Sequence, residues 1–490
     1  MWLSTLEMRG PPLALAVPVV AVAVAVAGAV IVAHGRNWET AQIRAELLAR
    51  VDRGGIGDLG HAQALGRRLV VADERDTEAA TALAFASAVL AVDYGFDTAR
   101  EADVVLERAG YHRAMAATTT SPPLVAAARA LIWLGSGHRD AAARLATAAA
   151  GINSGTPYPL YALGRIRARG GDTAGAARAL KAAIVGTPDF MSARVALAEA
   201  RLDMGDAQGA RTALVAVLAT APDDLRAGLL LDEAEQALGV VGTSTLAAAC
   251  PAPRGRWPPS AIRAGCALAY ASRARREGSR REALARAEEA ASVAPLEPRL
   301  LARTAQALAQ LGAVDRGAAM LERASRLAAP EAASARWAAA AVALGRGRAA
   351  VLPDGPPPAD PETQLLRARI ALAAGGVGAL ANALDREGDA ALARDIDLRL
   401  LAGLRGGGAL AEIAVEQDDP VRAYVEGLRA RLEGNIPAAL ANLQHALSGH
   451  GDACRAAGEY VAMLRVLKRS VDPASWNLLR AENASCVNLR

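Results

Sequence analysis

Along the middle of the chain, apolar and small residues recur with a step of 34 residues rather than with the alternation of a strand. Glycines fall at Gly137, Gly171, Gly205 and Gly239, alanines at Ala142, Ala176 and Ala210, and prolines at Pro188 and Pro222. Between these marks the copies read alike. Leu163-Gly164 leads to Gly171-Asp172, then Ala176, Leu180, Ala183 and Pro188; the next copy has Leu197-Ala198, Gly205-Asp206, Ala210, Leu214, Val217 and Pro222. Each copy predicts an apolar helix, a turn whose glycine takes the left-handed conformation, a second apolar helix, and a proline that stops it. The small residue at Gly164, Ala198 or Ala271 is expected opposite the alanine of the second helix, where it lets the two helices approach. A fixed period in this range marks a solenoid, each unit burying its apolar face on the next.

This pattern resembles the tetratricopeptide repeat, with its Leu-Gly pair, glycine turn, small residue, alanine and proline. Further copies follow at Gly278, Ala283, Ala287, Ala290 and Pro295, at Gly312, Leu321, Ala324 and Pro330, and at Gly427, Gly434, Ala439, Leu443 and Ala446. The bulky aromatic positions of that family are mostly Leu or Ala here. The resemblance implies an all-α, right-handed superhelix of antiparallel helix hairpins.

Composition agrees with that fold class. Hydrophobic residues make up 52% of 490, much of it alanine, the strongest helix former, while aromatics are only 3%. Helices packed on such small side chains lie close together. Of the 55 basic residues only Lys181 and Lys468 are lysine, the bias of a GC-rich, bacterial coding sequence.

One segment departs from the array. Leu13–Ala33 carries no charge over 21 residues, which as a helix spans about 31 Å, the thickness of a bilayer core. It is read as an uncleaved transmembrane helix, a cleaved signal peptide being the alternative. The expected layout is a tail at 1–12, the anchor at 13–33, a solenoid at 37–351, a proline-rich linker at 352–361 and a C-terminal helical block of the same kind at 362–490. Four cysteines fall into two sensible pairs, Cys250 with Cys266 and Cys454 with Cys486. As disulfides they indicate an oxidising compartment, hence a bacterial inner-membrane protein with its solenoid in the periplasm.

The chain carries no catalytic or metal-binding signature. None of the six histidines stands in a metal-protease arrangement, there is no Cys-x-x-Cys, and no nucleophile elbow or phosphate-binding loop occurs. Gly55-Ile-Gly-Asp-Leu-Gly60 spells a dinucleotide fingerprint, but Ile43–Val51 before it reads as helix. No enzyme activity, cofactor, metal or nucleic acid is expected. Between Cys250 and Arg286 nine arginines face two acids, a local +7 in a chain of formal charge +4. That patch leaves open an anionic envelope polymer, an exported polysaccharide, as ligand.

The resemblance points instead to a protein or peptide in the concave groove lined by first helices. Carried onto this chain, the groove positions are Tyr158, Tyr161, Arg165 and Arg169, then Val195, Glu199 and Asp203, then Leu268, Ser272, Arg275, Arg276 and Arg299. Arg165 and Glu199 stand where the carboxylate-clamp form of the family has asparagine, which argues against a chaperone tail as ligand.

Overall fold

The computed structural model describes residues 38–111, 122–152, 155–238, 259–276, 279–293, 297–327, 332–346, 350–354 and 434–447, with single positions among and after these. The described residues form helices and turns and no strand. In chain order the helices are α1 (38–53), α2 (Ile56–Ala72), α3 (Thr77–Val89), α4 (Ala99–Arg108), α5 (Pro123–Gly135), α6 (Arg139–Ile152), α7 (Pro157–Arg169) and α8 (Thr173–Gly186). They continue as α9 (Met191–Asp203), α10 (Ala207–Thr220), α11 (Leu225–Ala237), α12 (Ser260–Arg276), α13 (Arg280–Val293), α14 (Pro298–Gln310), α15 (Val314–Ser325), α16 (Ala333–Gly345) and α17 (Ile436–Ala446). The pairs α5/α6, α7/α8, α9/α10, α12/α13 and α14/α15 are hairpins, and first helices pack side by side from α3 through α5, α7 and α9 to α11.

The 34-residue marks are turn chemistry. Gly137, Gly171 and Gly205 have φ of 83°, 85° and 82°, a region open to glycine at little cost. At the second of these, Gly171 N donates to Ala168 O at 3.1 Å and Asp172 N to Arg167 O at 3.0 Å, closing the helix in a Schellman motif. The following aspartate then starts the next helix. Asp172 accepts from Gly175 N at 2.7 Å, and Asp206 from Gly209 N at 2.8 Å. A β-carbon on Gly175 or Gly209 would lie 1.9 or 2.1 Å from the capping carboxylate. Arg167 and Arg201 donate back to the carbonyls of Gly175 and Gly209 at 3.3 and 2.8 Å, so the motif is Arg-x-x-x-Gly-Asp-x-x-Gly. The same closure recurs at Gly312 and Gly434, the latter followed by an Asn435 cap on Ala438 N.

Helix pairs approach as the pattern foretold, with one change of partner. A β-carbon on Gly164 would lie 2.6 Å from Leu180 Cγ, so the leucine of the second helix, not its alanine, fills the gap. Gly427 stands against Leu443 Cγ in the same way, at 2.8 Å. Ala176 and Ala210 are fully buried in the hairpins.

Small side chains also bring the first helices together on the inner side. Every residue of α3 from Ala79 to Val89 is buried. Two of the chain's three phenylalanines, Phe85 and Phe190, meet Tyr158 and Tyr161 there, with ring centroids 5.1 Å apart in the Phe85–Tyr158 and Tyr161–Phe190 pairs. Contacts of long range tighten the curl further. Ser192 Oγ donates to Gly54 O, Tyr94 Oη to Asp224 at 2.9 Å, and Ser260 Oγ to Gly95 O at 3.2 Å.

Candidate functional site: the inner face and the α11/α12/α14 cleft

Of the groove positions expected from the sequence, Arg165, Glu199, Leu268, Ser272, Arg275 and Arg299 line one cavity, whereas at the level of α3 to α9 others close on one another. Tyr161 and Val195 are fully buried, and Tyr158 is half-buried, its hydroxyl donating to Asp52. Arg169 is buried and donates to Leu134 O at 3.2 Å. Tyr161, Val195 and Tyr158 belong to the packed interior, where alanine-rich first helices converge, whereas Arg169 borders a small cavity.

The charged positions form a buried network. A widened helical turn after α3 carries Asp93, whose fully buried carboxylate meets Arg165 at 2.8 Å and Arg226 at 2.9 Å and accepts from the Tyr161 hydroxyl. Glu199 takes Arg165 at 2.5 Å and also pairs with Arg226. Arg299, from α14, reaches back across the inner face: its Nε pairs with Asp203 at 2.9 Å and its Nη2 with Glu233 at 2.8 Å. Arg303 joins Glu233 at 2.6 Å.

Repeat geometry explains the order. Arg165, Glu199 and Glu233 stand one step of 34 apart, so they occupy one position on three successive first helices. Glu233, Arg226, Asp93 and Arg303 were not singled out in the sequence, although Glu233 continues the Arg165–Glu199 step and was legible on that ground.

Burial alone would raise Glu199, but Arg226, Arg165 and Arg299 prevail and hold it well below the carboxylate range. For Glu233, burial is likewise outweighed by Arg299 and Arg303, and its pKa is lowered. Asp203 goes the other way. Burial raises it to about 6, opposed by Arg299 and helped by the charges of Glu199 and Glu233. Three carboxylates thus share Arg299.

Beside this network, and lined by it, lies a cavity. A cleft of about 110 Å³ lies between α11, α12 and α14. Its apolar walls are Leu229 and Leu230 from α11, Ile262 and Leu268 from α12, and Leu300 and Leu311 from α14 and its end. Its polar side is the ion-pair network itself, with Asp93, Arg165, Glu199, Arg226, Glu233 and Arg299, joined by Asp232, Glu297, Ser272, Arg275, Arg303 and Gln306. Arg275 is held by Gln310 at 3.1 Å, and Arg303 keeps a quarter of its side chain in solvent. A smaller cavity of about 30 Å³ lies toward α7 and α16 and shares Arg165, Glu199, Glu297 and Arg299 with the cleft. Arg299 thus stands in the wall common to both cavities.

Cys250 and Cys266 are joined in a disulfide, with Cα atoms 5.7 Å apart, and it packs on Leu229, Ala269 and Tyr270 beside the cleft. Cys454 and Cys486 lie outside the described residues, as do the segment 13–33, most of the linker 352–361 and the side chain of Arg276. Among the described residues no helix is long and apolar enough to cross a membrane, and no cluster of His, Cys, Asp and Glu could hold a metal ion.

Among the described arginines of the basic segment, Arg273 and Arg281 face solvent. Arg254 and Arg256 lie outside the described residues, and Arg275 turns inward. Arg286 is exposed but paired with Glu289 at 3.0 Å, over the ring of Tyr270 at 5.7 Å.

Residues 167–233 match the tetratricopeptide repeat family. The match runs from the last turn of α7 to the middle of α11 and includes both Arg-x-x-x-Gly-Asp-x-x-Gly turns. Such repeats are ordinarily non-catalytic modules for binding other proteins. No curated protein sequence matches the chain. Among solved structures, a tetratricopeptide repeat protein from Parabacteroides merdae is similar over 52% of this chain and 93% of its own, at 12% identity and a TM-score of 0.33. The human IFIT1 dimer with PPP-AAAA is similar over 80% of this chain and 85% of its own, at 14% identity and a TM-score of 0.35. A monomeric IFIT1 mutant with Gppp-AAAA covers 83% and 94%, at 13% and 0.36. These overlaps are too loose to carry a functional inference.

Proposed function

We propose that the chain is a non-enzymatic scaffold that holds a protein partner close to a bacterial inner membrane, and that the partner docks in the α11/α12/α14 cleft. The observation that carries this reading is the contrast along the inner face. Where α7 and α9 meet α3, groove positions are consumed by packing and ion pairs, whereas between α11, α12 and α14 a cavity remains, walled by six aliphatic side chains, of which Leu230, Ile262, Leu268 and Leu311 are largely buried. A volume of about 110 Å³ falls below the roughly 300–1,000 Å³ of small-molecule sites. It suits one bulky apolar side chain presented by a protein, with Arg303 and Ser272 at the polar side for its backbone or a neighbouring carboxylate.

The location rests on two supports. The uncharged run Leu13–Ala33 has the length of a membrane anchor, and the Cys250–Cys266 disulfide favours an oxidising compartment such as the periplasm. The rival reading, an envelope polymer held by the arginine-rich segment, loses support because Arg275 faces inward and Arg286 is already paired.

The test is co-purification from native membranes after mild cross-linking, identified by mass spectrometry. Leu268→Asp and Arg303→Glu are expected to abolish recovery of the partner, while Arg281→Glu, on the outer side, leaves it intact. Loss with Arg281→Glu alone, or retention of polymer with no protein, would overturn the reading.

A further inference from the structure

At the start of the array, the α1/α2 hairpin exposes two large apolar side chains among charged ones such as Glu39, Arg68, Asp73, Glu74 and Arg75. Trp38 opens α1 with 66% of its surface exposed, and Val71 ends α2 at 84%. The two ends are pinned together, because Arg68 donates to Glu39 at 2.7 Å. The arginines nearby are engaged within the fold: Arg67 with Glu101 at 2.5 Å, Arg68 with Glu39, and Arg44 with Asp76 at 2.7 Å. Its distinguishing character among the described residues is an exposed indole at the start of α1 and an exposed valine at the end of α2, on helices joined by the Arg68–Glu39 pair.

Chain length decides what can cover it. Only His34, Gly35, Arg36 and Asn37 separate Ala33 from Trp38. Even fully extended, that connection reaches roughly 17 Å. Any membrane that holds Leu13–Ala33 therefore lies within that distance of Trp38, and the indole is the side chain that settles best at headgroup depth. We infer that the Trp38/Val71 end of the α1/α2 hairpin is a lipid-contact surface that seats the solenoid against the bilayer. The inference rests on the proposed anchor, and it adds a fixed orientation: the array stands on its first hairpin instead of trailing from a free tether.

The experiment uses the full-length protein in vesicles of equal parts phosphatidylcholine and phosphatidylglycerol. A photoreactive benzoylphenylalanine replaces Trp38, Val71 or, as control, Val185, which is 83% exposed on α8. Flotation of the vesicles reports the anchor, and lipid adducts report the contact. The expected result is flotation of all three, with adducts at positions 38 and 71 several-fold above those at 185. Flotation without adducts at 38 and 71 would overturn the contact and leave the anchor standing. Failure to float would overturn the anchor, and the seat with it.

Discussion

Gly164 offers a sharp test of how the repeats are packed, because two opposing effects of known size act on it. In the interior of α7, replacing glycine by alanine gains about 1 kcal/mol in helix propensity. Against this, the new methyl would stand 2.6 Å from Leu180 Cγ and 2.8 Å from Leu180 Cδ2, where ordinary contact begins at 3.4 Å. Leu180 is 1% exposed and has nowhere to swing, so the overpacking costs about 1–3 kcal/mol. The second effect outweighs the first, and Gly164→Ala is expected to destabilise by about 1 kcal/mol. Gly60 in α2 is the control, since a β-carbon there meets nothing within 4 Å. Gly60→Ala should stabilise by about 1 kcal/mol, putting the two variants about 2 kcal/mol apart. Urea denaturation of the full chain, followed by far-ultraviolet circular dichroism, gives the order of midpoints; midpoints are compared because repeat arrays need not unfold in one step. Trimming the partner, in Gly164→Ala with Leu180→Ala, should cost less than the sum of the single changes. A Gly164→Ala midpoint above wild type, as for Gly60→Ala, would refute the close approach of α7 and α8.

Three further outcomes follow from the inner face. Arg299→Met leaves Asp203 and Glu233 without their shared cation and should cost about 3–5 kcal/mol locally, seen as faster amide exchange in α9 and α14. Arg299→Lys should rescue only part of it, since one ammonium cannot serve Asp203 through Nε and Glu233 through Nη2 at once. For pH, the folded Asp203 carboxyl binds its proton at about 6 against an ordinary 3.8, so the folded state gains stability as pH falls through that window. Glu199 and Glu233, with lowered values, act oppositely: their stabilisation is complete above about 4.5 and is lost below it. Thermal melts should therefore rise slightly from pH 7 to 5 and fall steeply below, and Asp203→Asn should remove the rise; a monotonic fall in wild type contradicts this. Replacing both Cys250 and Cys266 by serine opens a bridge of sequence separation 16 and should cost about 3 kcal/mol, with amide protection lost first in α12.

The repeat was legible because its signal is backbone chemistry. Gly171 and Gly205 must be glycine to adopt positive φ, so they mark the period even where side chains vary. The glycines at Gly175 and Gly209 carry an equally physical reason, room for the aspartate cap, and their 34-residue step was there to read. What the period could not convey was curvature. The same residues Tyr161, Arg165 and Val195 would line an open groove in a gently coiled array and a closed core in a tight one. Which of these forms is set by contacts far apart in sequence, such as Tyr94 with Asp224 and Arg299 with Asp203. Alanine at so many inner positions was the available hint, since it allows first helices to converge. The cleft depended on a further non-local fact, that α11, α12 and α14 splay apart beside the disulfide, which no local pattern records.

The most direct test of a partner site at the cleft is photocrosslinking in intact cells, with benzoylphenylalanine in place of Ser272 in the cleft, Tyr161 in the closed inner face, or Val215 on the outer face of α10. A discrete protein adduct at position 272, absent at 161 and 215, is the expected result. Adducts at 215 with none at 272 would contradict it.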